Sequence, residues 1–384
     1  MIQTPEMKLA STKSNNLKAK YINLRVLLVI PVLFFLAFAN KNKPSPSSKK
    51  ALKRKHIVWD QQTLRKVSSS EGGRHSGYGR IIQLQNKSLI CVYESSGSTV
   101  TVKSNDVGSS WSLATTIAAQ HDGISMAVPD VIQLQSGRLI VFYNPRPRQP
   151  TPEKKFGIRC KMSDDNGKTW SGEQILYDAD WQFENGCWEP SAVQLPNGEI
   201  QVFFANESDY RNSNEQNISM LRSVDNGNTW TKEREIVSFR QGSRDGMPVP
   251  VVLKNMQEVA FAIEDNGIGN FKPYIIRNRL QDNWSRIVDA GSGNREYALI
   301  EKMSKEVYAG APYLRQLKSG ETILSYQGTE GRINDMQHAD MKVVVGDDQA
   351  RNFGAKSVPF VIPADKSCLW NSLAVLNDDT IIAV

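Results

Sequence analysis

A hairpin pattern that recurs six times constrains the fold of this chain more than any other feature. Each copy has an apolar segment, a short polar turn and a second apolar segment, with one leucine just before the turn. The six leucines lie 50 to 64 residues apart: Leu84, Leu134, Leu195, Leu253, Leu317 and Leu376. A repeat of this length with β-type residues holds about four short strands, which is the size of a propeller blade. The sequence therefore predicts an all-β fold, a six-bladed β-propeller.

Prolines recur at a fixed place in four of the six copies. They lie five residues before the leucine, at Pro129, Pro190, Pro248 and Pro312. We expect them to start the first strand of their blades, where a missing N–H breaks no ladder.

A second motif, Ser-x-Asp-x-Gly-x-x-Trp, follows the hairpin in the first three units. It occupies residues 104–111, 163–170 and 223–230. The pattern resembles the Asp box of sialidases and related propellers. Short polar side chains accept hydrogen bonds in a tight turn, Gly adopts a left-handed conformation and Trp packs between strands. We therefore interpret these motifs as turns that stabilise the fold, on the face opposite the chemistry.

The basic character of the chain resides in its first 55 residues. The formal net charge is +7, yet residues 1–55 hold 12 Lys and Arg and one acid. The remaining part is mildly acidic, which argues against a nucleic-acid surface.

An apolar run at residues 24–39, preceded by basic residues and ending in small ones, has the layout of an export signal. We expect a signal peptide or signal anchor over 1–39, a basic Ser/Pro/Lys linker over 40–55 and the propeller domain over 56–384. The domain is expected to be secreted, periplasmic or at the cell surface, and monomeric. An N-terminal anchor is the one membrane contact expected.

Cofactors and cysteines add little to the prediction. Cys91, Cys160, Cys187 and Cys368 would permit disulfides after export, but their pairing stays open. No metal-ligand spacing is present, and no cofactor is expected. The sixth unit stops at Val384 in its second strand, so we expect a sparse or incomplete last blade.

Polar residues that share one rim can be found by counting from each leucine. The first strand should start six residues before the leucine, and the second should end ten to twelve after it. This count collects the following rim residues: Tyr78, Arg80, Asp130, Trp188, Glu189, Asn206, Glu207, Glu264, Asp265, Gln327, Trp370 and Asn371. Carboxylates, amides and aromatic rings at one rim suit a sugar, which offers hydroxyls and flat apolar faces.

Two carboxylates in adjacent units are the candidate catalytic pair. Glu189 lies between Trp188 and Pro190 at the start of a first strand, and Glu264 ends an apolar second strand. Burial raises the pKa of such a carboxyl, which suits a general acid.

Residues 75–384 resemble glycoside hydrolase family 93, the exo-acting arabinanases. The resemblance is carried by the segments 77–80 (GYGR), 188–190 (WEP) and 244–248 (RDGMP), followed by Glu264. It implies a retaining exo-α-1,5-L-arabinanase with Glu189 and Glu264 as nucleophile and acid/base in an order left open. The resemblance and the rim count together assign the substrate-binding residues: Tyr78, Arg80, Asp130, Trp188, Arg244, Asp245, Gln327 and Trp370.

Three alternatives remain at this point. An exo-α-sialidase would need three arginines for the sialate carboxylate and a Tyr nucleophile partnered by Glu. Arg80 could be one such arginine, but Glu207 lies where another is expected and would repel that carboxylate. Another exo-glycosidase and a non-catalytic sugar-binding propeller are the other two.

Overall fold

The computed structural model describes residues 55–68 and 75–384. They fall within one structural unit, Lys53–Val384. The expected signal segment, residues 1–39, lies outside the described residues, as does the expected linker except for its last residue, Lys55. Within the described ranges, no helix is long and apolar enough to cross a membrane.

Five antiparallel sheets of four strands account for most of the described chain. The first contains β1 (Ser76–Gln83), β2 (Leu89–Ser95), β3 (Ser98–Ser104) and β4 (Thr115–Ala118). The second contains β5 (Ile124–Gln133), β6 (Leu139–Pro147), β7 (Gly157–Ser163) and β8 (Gln174–Asp178). The third contains β9 (Cys187–Gln194), β10 (Ile200–Asn206), β11 (Asn217–Ser223) and β12 (Glu235–Ser238). The fourth contains β13 (Asp245–Val252), β14 (Glu258–Asp265), β15 (Lys272–Arg279) and β16 (Arg295–Tyr297). The fifth contains β17 (Ala309–Gln316), β18 (Thr322–Gly328), β19 (Asp340–Gly346) and β20 (Gly354–Ser357).

The first strands of the sheets form a ring. A sixth sheet contains β21 (Leu373–Val375) and β22 (Ile381–Ala383). Each first strand contacts the first strand of the next sheet, and β21 contacts both β17 and β1. The helices described are three single 3-10 turns, Gln61–Thr63, Phe183–Asn185 and Met336–His338. The predicted all-β propeller is confirmed with five four-stranded blades, and a full sixth blade stays a prediction.

A left-handed residue lies within the first strand of each of the five full blades and just before β21 in the sixth unit. The residue six positions before each of the six leucines has a φ between 46° and 55°: Tyr78, Val128, Glu189, Met247, Ala311 and Trp370. In the five full blades the pairing with the second strand shifts at this point, as in a β-bulge. Side chains at five of these positions pack into one cluster, so the bulges turn them toward the centre of the ring.

The four recurring prolines lie at these bulges and not at strand starts, which corrects the expectation from sequence. The strand β5 begins at Ile124, and Pro129 follows the left-handed Val128 within it. Neither Val128 nor Pro129 has a partner in the ladder with β6. Because bulge residues are unpaired, the missing N–H of proline costs no hydrogen bond there.

The Asp boxes form the turns between third and fourth strands. In the second box the Gly167 N–H donates to Ser163 Oγ over 2.8 Å, and the Thr169 N–H donates to Asp165 Oδ1 over 2.9 Å. Gly167 has a φ of 74°, a left-handed conformation that suits glycine. Hydrogen bonds from Thr169 and Ser163 hold the pKa of Asp165 well below its usual range. The carboxylate is thus committed to the turn.

All four cysteines of the chain are free thiols, and three of them are buried. Burial raises the pKa of the Cys91 and Cys160 thiols to about 12. Because the thiolate is the reactive form, these cysteines are chemically inert packing residues.

Candidate active site

The structure places the two candidate carboxylates on neighbouring blades. Glu189 is the third residue of β9, at the bulge, with a φ of 52°. Glu264 lies near the end of β14, paired with Gly246 of β13. The strands β9 and β13 contact each other, and the Glu189 charge contributes to the raised pKa of Glu264. The two groups therefore share one end of the ring, on the side away from the Asp boxes.

Glu264 occupies a partly buried position where its charge is poorly solvated. Desolvation raises its pKa to about 7, the nearby Glu189 charge adds to the effect, and the Ala311 N–H opposes it by donating to Oε2 over 2.8 Å. A side chain on Gly310 would collide with both this carboxylate and the Tyr308 hydroxyl. The glycine thus lets these two groups converge on one spot.

Glu189 is held by an arginine from the preceding blade. Arg146 Nη2 donates to Glu189 Oε1 over 3.1 Å, and the same guanidinium stacks 5.0 Å above the ring of Trp188. The two glutamates therefore differ in surroundings, since Glu189 faces a cation and Glu264 faces a backbone amide.

A third glutamate lies at the same rim. Glu207 is buried and accepts hydrogen bonds from Trp188 Nε1, at 2.7 Å, and from Arg244 Nη2. Desolvation raises its pKa, and the Arg244 charge opposes this. Arg244, a predicted substrate contact, therefore neutralises a buried acid in this structure.

Aromatic rings from the first and sixth units meet on the opposite side of the ring. Tyr78 and Trp370 stack with centroids 4.8 Å apart. Arg80 donates to the Trp370 carbonyl over 3.0 Å, and Gln327 accepts the Trp370 N–H over 2.6 Å. Gln327 Nε2 also donates to the Tyr308 hydroxyl. These four predicted binding residues, Tyr78, Arg80, Gln327 and Trp370, thus form one connected group.

Asp130 and Asp245 are more deeply placed than expected. Asp130 accepts a hydrogen bond from the Ser191 hydroxyl over 2.6 Å, and its other oxygen has no protein partner. Asp245 is fully buried and accepts hydrogen bonds from both terminal nitrogens of the buried Arg295 guanidinium. Asp245 has no exposed atom through which a sugar could bind, so its expected contact with substrate is corrected to a structural role.

Two cavities near the ring differ in volume and in the residues that line them. A small cavity of about 20 Å³ is lined by Arg80, Asp130, Glu189 and their neighbours. A second cavity, of about 980 Å³, lies between the first blade and β22, and neither Glu189 nor Glu264 lines it. The charged groups, and not the volume of a cavity, therefore mark the candidate active site. Among the residues that the structure describes, no cluster of three or more His, Cys, Asp or Glu could hold a metal.

Comparison with known proteins identifies the fold. Residues 149–260 match the family model of the BNR repeat-like domain. The matched segment runs from the second blade into the fourth. No curated protein matches the chain.

Solved structures similar to this chain include an α-L-arabinofuranosidase and an α-L-arabinanase. An α-L-arabinofuranosidase of Fusarium graminearum matches with a TM-score of 0.62 and 15% identity, covering 79% of this chain and 85% of that one. An α-L-arabinanase of Penicillium chrysogenum, complexed with arabinobiose, matches with a TM-score of 0.60 and 16% identity over 79% and 86%. The NanB sialidase of Streptococcus pneumoniae matches with a TM-score of 0.54 and 10% identity over 80% and 64%. At these identities the likeness is one of fold.

Sequence reasoning missed three residues of the site: Arg146, Tyr308 and Arg295. Arg146 lies twelve residues after Leu134, the offset that also separates Glu207 from Leu195. The rim count could thus have found Arg146. Tyr308 precedes its strand, and Arg295 lies on the short fourth strand β16, so the count reaches neither.

Proposed function

We propose that this chain is an exo-acting glycoside hydrolase of the arabinanase type, working by a retaining two-carboxylate mechanism. The observation that carries the proposal is the pair Glu189 and Glu264, brought to one rim from adjacent blades in unlike surroundings. Two carboxyls whose environments separate their protonation states are the usual mark of an acid and a nucleophile.

The surroundings of the two carboxyls support one order of roles. With its pKa raised to about 7, Glu264 holds a proton in weakly acidic solution and can give it to the leaving oxygen. Glu189, paired with Arg146, is the carboxylate that attacks the anomeric carbon to form a glycosyl ester. Glu264 then takes a proton from the water that hydrolyses this ester, which restores both groups.

A neutral substrate fits the arginines of this rim. Arg146 is paired with Glu189 and Arg244 with Glu207, while Arg80 donates to carbonyl oxygens and stacks on Tyr313. Each guanidinium is thus engaged within the protein, and the rim carries three glutamates. A linear pentose polymer such as α-1,5-L-arabinan has no charge to be repelled by them. The two arabinose-polymer enzymes of this fold support the same substrate class.

A sialidase is the second candidate, because the Tyr308 hydroxyl and the Glu264 carboxyl converge on Gly310. A Tyr–Glu pair is the nucleophile arrangement of sialidases. Against it, Arg146 and Arg244 would have to leave their glutamates to bind a sialate carboxylate.

We further propose that β21 and β22 represent a sixth blade, since β21 completes the ring of first strands. The leader pattern over residues 1–39 supports a secreted or cell-surface enzyme, and we propose that it acts as a monomer. Cell fractionation and light scattering would test both, and a cytoplasmic or dimeric protein would contradict them.

A product screen tests the proposed function directly. The purified protein is incubated with linear arabinan, arabinoxylan and sialyl-lactose, and the products are sized. We expect short arabino-oligosaccharides of uniform length from linear arabinan, and no release by Glu189→Gln or Glu264→Gln. Free sialic acid released faster than arabino-oligosaccharides would transfer the assignment to a sialidase. Inactivity on every glycan together with tight glycan binding would indicate a non-catalytic propeller.

A further inference from the structure

Arg146 is fixed on three sides beside Glu189. It is the eighth residue of β6, in the blade that precedes the one carrying Glu189. Its Nη2 donates to Glu189 Oε1 over 3.1 Å, its Nε donates to Asn144 Oδ1 over 2.7 Å, and its plane lies over Trp188 at 5.0 Å. A guanidinium held by a fork of hydrogen bonds and a stacked ring has little freedom to turn.

Asn144 gives this arginine its orientation. This buried amide donates from Nδ2 to the Gly157 carbonyl over 2.8 Å and to the Cys187 carbonyl over 3.0 Å. Because both carbonyls need a donor, the amide orientation is settled and Oδ1 is left to accept from Arg146. Cys187 lies two residues before Glu189, so Asn144 also ties the start of β9 to the second blade. The single side chain of Asn144 thus fixes the position of Arg146 relative to the strand that carries Glu189.

Acids and phenols from four other elements surround Glu189. Glu207 from the loop after β10, Glu264 from β14, Tyr78 from β1 and Tyr308 before β17 all interact electrostatically with Glu189. Two further cations of this rim are engaged elsewhere, since Arg244 is bound to Glu207 and Arg80 donates to the Gly79 and Trp370 carbonyls. Arg146 is itself influenced by Glu189, Tyr78 and Glu94. It is therefore the positive group that balances Glu189 directly.

We propose that Arg146 is a positioning residue that keeps Glu189 ionised and aimed at the reacting carbon. This rests on the proposed function in taking Glu189 as the nucleophile. An opposite charge within hydrogen-bond distance favours the charged form of a carboxyl, and a fixed direction of attack matters because small misplacements cost large factors in rate. The two effects can be separated, since a lysine supplies the charge without the planar fork.

The experiment compares Arg146→Met and Arg146→Lys with the wild type and with Arg148→Met as matched control. Arg148 lies two residues further on, is exposed and donates to Gln120. On arabinan, we expect Arg146→Met to lose roughly 10- to 100-fold in kcat with a smaller change in KM. The acid limb of its kcat/KM profile should move up by about one pH unit. Arg146→Lys should return the acid limb of the kcat/KM profile to its wild-type pH without restoring kcat. Arg148→Met should match the wild type in both the acid limb and kcat.

A second readout does not depend on activity. In protein labelled with ¹³C at glutamate side chains, Glu189→Gln identifies the Glu189 carboxyl signal, and its titration midpoint is measured in each variant. We expect this midpoint to rise by about one pH unit in Arg146→Met and to stay in place in Arg148→Met. An unmoved midpoint would overturn the proposal whether or not the protein hydrolyses glycans. A moved midpoint in a protein inactive on every glycan would leave the Arg146 role standing and remove the proposed function.

Discussion

Replacing Glu264 by Gln should make the protein more stable, by an amount that depends on pH. The folded protein raises the pKa of Glu264 from 4.5 to about 7, chiefly by desolvation. Between these two pH values the folded state holds a proton at this site that the unfolded chain has lost. Stability then falls as the pH rises, because the folded state binds more protons than the unfolded state.

The size of the effect follows from the shift. Each pH unit between 4.5 and about 7 lowers the free energy of unfolding of the wild type by about 1.36 kcal/mol, so the total loss above pH 7 is about 3 kcal/mol. Below pH 4.5 the carboxyl is neutral in both states and the penalty vanishes. Gln is neutral at every pH and can still accept the Ala311 N–H, so it avoids the penalty.

The assay is urea unfolding of wild type and Glu264→Gln at pH 4.5, 6 and 8. We expect the advantage of the variant to be about 3 kcal/mol larger at pH 8 than at pH 4.5. Glu184→Gln is the control, because Glu184 is exposed in the same rim region and its replacement should change nothing with pH. Parallel pH dependence in wild type and Glu264→Gln would refute the argument that burial keeps this carboxyl protonated.

Four further outcomes are expected. Glu189→Gln and Glu264→Gln should fold and lose at least about 10²-fold in turnover, while Glu207→Gln should lose far less. Normal turnover in Glu189→Gln or Glu264→Gln would exclude a catalytic role for that residue. Hydrolysis should retain anomeric configuration with the Glu189 and Glu264 carboxyls about 5 to 5.5 Å apart, and NMR detection of an inverted product would contradict this. Trp170→Ala should lower the free energy of unfolding by about 3 kcal/mol, because its half-buried ring packs in the Asp-box turn, and should leave turnover per folded molecule unchanged. Lost turnover with normal melting would instead show that the Asp box is catalytic. Arg295→Met should cost about 3 to 5 kcal/mol in calorimetry, because it leaves the buried Asp245 with no cation and Asp265 with Arg240 alone, and a variant as stable as wild type would contradict this role of Arg295.

The repeat made the propeller predictable from sequence, because each leucine marks the same turn of the same hairpin. Counting six residues back placed Glu189 and Trp370 at equivalent positions, and the structure gives them the same left-handed conformation. The conformation itself was not predictable. Non-glycine residues avoid it at a cost of roughly 1 to 2 kcal/mol, so local preference argues for an extended strand. The ring of packed blades overrides that preference at all six positions.

Partners across blades were the part that sequence could not supply. Arg146 and Glu189 are 43 residues apart, and Asp245 and Arg295 are 50 apart. Neither separation follows from the repeat, because each depends on which side of a strand faces the next blade. Asp245 was assigned to the substrate by the resemblance of segment 244–248, while its strand turns it toward Arg295 in the interior. A count along the chain finds the rim, but it does not separate inward from outward side chains at that rim.

The ring of bulges explains why one carboxylate can be singled out among so many acids. Of the six side chains that occupy the left-handed position, five are apolar or aromatic, and Glu189 alone is an acid. The other five pack together at the centre of the ring, so Glu189 faces an apolar floor on one side and Arg146 on the other. Such a floor suits the C–H face of a sugar ring, while the carboxylate remains paired with a cation until substrate arrives. Met247→Glu, which puts a second acid at the equivalent position of the next blade, should therefore abolish arabinan cleavage without unfolding the protein. Unchanged cleavage by that variant would mean that the floor takes no part in holding the substrate.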